Sequence, residues 1–417
     1  MNRYWLPATV LVLGCALDCR VANAQDPLAC VALNQSTPTV RAEGVAEQVS
    51  DLLVLCTGGT PASTGAAIPA YDMQLTFNAP VTSRIIGSDG QSSEALLLVD
   101  EPLSTAQFPC EQTSGVCQSV GNGTGTGYYG GDASTNRNVF QGLLSAGTTL
   151  LWKSVPFDPP GTGQYRVFRF TNLRLDATSL TGGATGLGTT DISVTGTGGT
   201  ISVDGGVLTL GTVSPSLTAV VRDGGNNTTV ATGAAVSVAA AASVARVATL
   251  RFVSGFPGAD KARTAANYID ADTSPPPIDQ NLPGVTYGTE TGFYNSTFGS
   301  YGARGDLATA GLADSGTRYM AVISNIPNGF KVNVDVNNGT AGSGATARLI
   351  NTGAAGDGAF VATATTGTTA QLTVEVGRPS RSGKCCFPIA LARARTTSAS
   401  IFPIRQPAQR PRPPTFR

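Results

Sequence analysis

The sequence predicts an all-β fold: two antiparallel β-sandwich (Ig-like) domains with long Gly-rich loops. Charged residues make up only 13% of the 417, and 51 residues are glycine, whereas typical soluble domains are roughly 25% charged. Thr, Ser, Ala and Val fill much of the remainder, and β-branched residues suit strands better than helix surfaces. Short apolar runs recur between turn residues with no amphipathic helix between them, the pattern of antiparallel sandwiches. Hydrophobic residues reach 41%, which argues against disorder.

The chain opens with a signal peptide, expected over residues 1–24. Arg3 supplies the positive start, Leu6 to Leu17 the apolar stretch, and Ala22-Asn23-Ala24 the small-x-small cleavage pattern. That apolar stretch is too short to span about 30 Å of hydrocarbon, so no transmembrane segment is expected. The rival reading is a lipoprotein carrying its lipid on Cys15. The expected location is secreted, extracellular or at the cell surface, with the periplasm as the alternative.

Cys30, Cys56, Cys110 and Cys117 remain in the mature body. In an oxidising compartment four cysteines read as two disulfides. Three pairings are open, and Cys30–Cys56 with Cys110–Cys117 is favoured because each closes a local loop. Chain entropy then gives roughly 3.5 kcal/mol for the longer loop and roughly 2.5 kcal/mol for the shorter. A four-cysteine zinc site is disfavoured because no C-x-x-C pair occurs.

The first domain is expected over residues 25–240. Its strands include Leu52–Leu55 delivering Cys56, then "DMQLTFN" (72–78) and "EALLLVD" (94–100). Two further apolar runs flank the turn cluster Asp158 to Gly163. In the second of these, Tyr165 and Val167 share one face, then Phe168 and Phe170 the other, which suggests a bulge. Trp152 is expected in the core. Asp-Gly and Gly-Gly pairs after residue 190 read as hairpin turns. The second domain is expected over residues 241–376, from "ATLRFV" (248–253) through a long irregular stretch to "RYMAVISNI" (318–326) and "AQLTVEV" (370–376).

Residues 377–417 differ in style. They carry nine basic residues and no acidic one, and prolines disfavour regular sheet pairing. A disordered tail or an out-of-frame ending is expected. Between residues 25 and 376 stand 16 basic and 26 acidic residues, a net of −10. That charge argues against nucleic acid as a partner.

"TVRAEGVAEQVSDLLVLCTGG" (39–59), "SSEALLLVDEP" (92–102), "ATLRFVSGFPGADKART" (248–264), "GVTYGTETGFYN" (284–295) and "GLADSGTRYMAVISNIPNG" (311–329) carry a resemblance. In these segments the chain resembles uncharacterised exported β-rich proteins of soil acidobacteria. The resemblance implies a secreted β-rich protein and no particular activity. Such proteins continue with strand sequence after an "LTVEV"-like segment, and the tail departs from that.

The chain contains no histidine. Ser-His-Asp and Cys-His catalysis cannot be built, nor can His-ligated metal. A carboxylate pair as in glycosidases remains open, but no pair stands out. Asp100-Glu101 and Asp270/Asp272 read as solvated loop charges. No catalytic residue, cofactor or metal ligand is assigned. Tyr287, Phe293, Tyr294, Phe298 and Tyr301 crowd one Gly-rich loop. Loop aromatics can stack on sugars, so these five form the candidate ligand-binding loop, with a packed lid as the plainer reading. The leading expectation is a non-catalytic structural or adhesive surface protein, with polysaccharide or other surface proteins as partners. The alternative is a carbohydrate-binding module or carboxylate-dependent glycosidase.

Overall fold

The fold is described from a computed structural model. It describes most of residues 26–338, interrupted chiefly at 127–136, 231–246 and 265–278. Beyond them it describes the strand segments 346–349, 369–371, 375–376, 382–392 and 396–405. The expected signal peptide over residues 1–24 and the Ala-rich run near 240 lie outside the described residues.

The described chain is all-β, with only short 3-10 turns besides. Its first part has fourteen strands. These are β1 (Ala29–Asn34), β2 (Thr39–Arg41), β3 (Glu47–Gln48), β4 (Leu52–Gly58), β5 (Ala70–Phe77), β6 (Ser92–Val99) and β7 (Val139–Ala146). There follow β8 (Thr149–Pro156), β9 (Gly161–Thr171), β10 (Arg174–Leu175), β11 (Gly186–Gly196), β12 (Gly199–Ile201), β13 (Val203–Asp204) and β14 (Leu208–Ser214). All but β3 and β10 join one sheet, in the order β13-β1-β4-β9-β6-β7-β8-β5-β11-β14-β2, with β12 on β11. Most pairs are antiparallel, and β1–β13 and β14–β2 are parallel.

One mixed sheet thus stands where two antiparallel layers were expected. It curls until its concave face meets itself. Trp152 on β8 packs edge-on against Phe170 on β9, centroids 4.7 Å apart, though β6 and β7 lie between those strands in the sheet. Phe157 bridges Tyr71 and Phe168 in the same way. The expected core position of Trp152 is met.

Strand β6 shows why its sequence is so apolar. Ala95, Leu97 and Val99 join the interior cluster, while Leu96 and Leu98 join a second cluster on the convex face. A strand covered on both sides reads as a continuous hydrophobic run rather than an alternation. Its outer cover is the segment 279–314, which supplies Phe293, Phe298, Leu307 and Ala310. Among its described residues this segment, the strap, has no long strand of its own, and it runs across the sheet's convex side.

Strand β9 corrects one expectation. Its ladder with β4 is unbroken from Arg166 to Phe170, so no bulge separates Val167 from Phe168; the irregularity lies between Gly161 and Tyr165. The apparent change of period arose because the inward position before Phe168 is an arginine. Arg166 is fully buried, donating to the carbonyls of Asp158 and Gly125 and to Asp100 Oδ2 at 3.1 Å.

The change of sheet falls at Pro215-Ser216, ahead of the expected boundary near 240. Leu217–Asp223 pairs with Ala248–Ser254, which begins a second group of antiparallel ladders. The tail contributes two strands to this group. Ser382–Ala392 pairs with Arg318–Pro327, and Thr396–Arg405 lies between Ala248–Ser254 and Phe330–Asp335. Pro388 and Pro403 stand in register opposite Met320 and Val332, where an unpaired tail was expected. Antiparallel ladders alternate between paired and unpaired backbone positions, so a proline is tolerated at every second residue.

Candidate functional site

Strand ends and the strap converge on a chain of alternating charges. Arg41 on β2, Glu47 on β3, Arg84 in the loop after β5, Glu94 on β6 and Arg174 on β10 meet Glu290 and Asp314 of the strap. Glu47 Oε1 lies 2.6 Å from Arg41 Nη2, which lies 3.1 Å from Glu290 Oε1. Glu290 Oε2 stands 4.0 Å from Arg174, whose Nε donates to Glu94 at 3.0 Å. Glu94 then faces Arg84 at 3.5 Å, and Arg84 reaches Asp314 at 3.2 Å. Glu47 and Glu94 are buried, and Asp314 is exposed.

The electrostatics follow from this arrangement. Burial alone would raise the Glu290 pKa, but Arg41, Lys261 and Arg174 outweigh it and hold the carboxyl below its usual range. Burial opposes the Arg41 charge, and Glu290 and Glu47 reverse that and strengthen it. A buried charge persists only when it is paired and hydrogen-bonded. Nearby, Tyr319 is held protonated by burial and by its hydrogen bond to Asp260.

A cleft of about 610 Å³ opens over this chain, walled by Val45, Leu217, Leu312 and Tyr319 with the charged groups on its floor. Each carboxylate of the chain already faces a guanidinium. That geometry suits clamping one segment onto another. It does not suit a general acid, which needs a raised pKa near the working pH.

Further bonds hold the strap down. Asn172 Nδ2 donates to the carbonyls of Glu94 and Phe293 at 3.1 and 2.9 Å. Gln107 donates to the Asn281 carbonyl at 2.7 Å and accepts from Asn295 at 2.8 Å. Gly311 sits at φ +73°, and a Cβ there would strike the Phe293 carbonyl, so the strap's return depends on a glycine at this point.

The candidate ligand-binding loop divides accordingly. Phe293, Tyr294 and Phe298 are buried. Tyr301 is half-buried, edge-on to Phe108 and under the Arg137 guanidinium. Tyr287 and Phe293 line a small cavity of about 70 Å³, shared with Gln48, Asp51, Lys261 and Thr289.

Both favoured disulfides are present, Cys30–Cys56 and Cys110–Cys117. Cys30 stands directly opposite Cys56 on β1 and β4, Cα atoms 4.1 Å apart. Asp100 and Glu101, expected to be solvated, instead pair with Arg166 and Arg169 at 3.1 and 2.6 Å. Asp270 and Asp272 lie outside the described residues. The ion-pair chain escaped sequence reading because its members come from six separate segments.

No protein-family model matches the chain, and no curated protein matches it. Among solved structures it is similar to the C-terminal domain of the AgI/II polypeptide BspA of Streptococcus agalactiae, at 8% identity across 91% of each chain. The TM-score is 0.21, and a likeness of that degree carries no structural or functional weight.

Proposed function

We propose that the protein is a secreted, non-catalytic structural or adhesive component of the cell surface or extracellular matrix. The observation that carries this reading is the ion-pair chain, in which each acidic group faces an arginine and binds strap to sheet. Two disulfides suit an oxidising compartment. The kinship with exported acidobacterial proteins belongs to the same reading. So does a two-layer second domain, supported by Phe252 stacking on Tyr319 from a different sheet at 5.1 Å.

The cleft favours a second reading, in which it takes polysaccharide as a binding module or a carboxylate-dependent glycosidase. Hydrolysis assays on a polysaccharide panel and a glycan array separate the two. The structural reading expects no turnover and expects immunogold labelling on the outer surface of the source cell. Turnover abolished by Glu94→Gln in a folded variant would replace it with the glycosidase reading, and glycan binding without turnover would favour the module.

A further inference from the structure

Lys261 stands apart from the charges around it. Among the described residues, no carboxylate comes within 4.0 Å of its ammonium, and its side chain has no hydrogen-bond partner. Its backbone is fixed by two bonds to Thr317, the amide donating to Oγ1 at 2.8 Å and the carbonyl accepting from the amide at 2.9 Å. The side chain is half-buried and lines the 70 Å³ cavity beneath Tyr287. Arg41 and Arg174 have already taken the nearest carboxylates, Glu47 and Glu290.

Burial pushes the Lys261 amine below its ordinary pKa, with Arg41 and Arg174 adding to that and Glu290 and Glu47 opposing it. Asp51 and Tyr287 face the same cavity. An amine in such surroundings is neutral for a larger fraction of the time near pH 7, and a neutral amine is nucleophilic.

We propose that Lys261 is a modification site that condenses with small aldehydes entering this cavity. The nitrogen lone pair adds to the carbonyl carbon, and a proton passes from nitrogen to oxygen to give a carbinolamine. Departure of that hydroxyl as water, with formation of the C=N bond, gives the imine; no oxidant or reductant takes part. The cavity has room for only a few water-sized groups, which limits the partner to a two- or three-carbon hydroxyaldehyde. Ser50, Thr289 and Thr291 line its wall. This inference does not depend on the structural reading above, and either can fail alone.

The chain has four lysines, which makes the test direct. The folded mature protein, disulfides intact, is treated with glycolaldehyde and cyanoborohydride across pH 6–9, and modified lysines are mapped by mass spectrometry. Lys153, exposed on β8, is the internal reference. Lys261 is expected to be labelled severalfold faster than Lys153 at pH 7 and to reach its plateau at lower pH. A fluorescein-sized aldehyde is expected to reverse the order, because it cannot enter. Labelling of Lys153 first by glycolaldehyde, matching pH curves for the two lysines, or equal preference with the bulky aldehyde would overturn the proposal.

Discussion

Arg41 on the sheet and Glu290 on the strap face each other at 3.1 Å, with only 14% and 12% of their side chains exposed. Glu290 also bears on Arg174 and Lys261. Removing its charge leaves Arg41 with Glu47 and Arg174 with Glu94 as remaining partners, and takes the nearest anion away from Lys261. Breaking a buried pair from one side costs about 3–5 kcal/mol. Glu290→Gln is therefore expected to lower unfolding stability in urea by about that amount. A variant within 1 kcal/mol of wild type would show that the clasp contributes little.

The same carboxylate sets a pH dependence. Its folded pKa is depressed, so its contribution is complete above the unfolded carboxylate value of about 4.3 and is lost as pH falls through the folded value. Asp51 and Asp100 act in the opposite sense. Burial raises both, outweighing Arg169 and Arg166, so their penalty at neutral pH is relieved on acidification. A global melting curve mixes these effects, and a local cut map does not. Thermolysin at pH 7 is expected to spare residues 279–314, and pepsin near pH 3 to cut there before it cuts β4 or β6. Early thermolysin cutting within the strap would contradict this.

The two covers of β6 give a further contrast. Phe298→Ala removes a fully buried ring from the convex side, and such truncations cost about 3–5 kcal/mol. Trp152 lies in the other cluster and is the only tryptophan after the expected cleavage site. Phe298→Ala is expected to loosen the strap while leaving Trp152 emission blue-shifted. A red shift at low denaturant would mean that both faces unfold as one unit.

How much of this was legible in the sequence differs from residue to residue. The run Ala95–Val99 announced a strand, and the structure explains its unbroken apolarity by cover on both faces. Cys30 and Cys56 were legible because a local loop is the cheapest to close. Arg166 misled, since a buried arginine satisfied by carbonyls 8 and 41 residues away looks from sequence like a solvent position. The aromatics at 293, 294 and 298 read as a ligand platform or, more plainly, as a packed lid. Burial of all three, with Phe293 and Phe298 against Leu96, Leu98 and Val139, decides for packing, and no local pattern encodes that contact. The alternating charges were invisible for the same reason.

The disulfides rank in the order of their loops. Sequence separations are 26 and 7, which correspond to about 3.5 and about 2.5 kcal/mol of chain entropy. The Cys30→Ala/Cys56→Ala double variant is expected to lose more stability than Cys110→Ala/Cys117→Ala, measured by urea unfolding. The reverse order would mean that native contacts near Cys110 outweigh loop entropy.

Ser154 adopts φ 50° where two residues of β8 face one of β5. A non-glycine residue is strained there. Ser154→Gly is expected to be neutral or to add up to about 1 kcal/mol, read from the urea midpoint. A clear loss would show that the serine side chain is needed at the bulge.

Amide hydrogen exchange over residues 290–298 of the mature protein bears most directly on the clasped strap. Protection within about tenfold of that at Leu96–Val99 is the expected result, since Phe293 and Phe298 lie between strap and sheet. Exchange of those amides at the rate of an open loop, with β6 still protected, would contradict a strap held down by Arg41, Arg174 and Asn172.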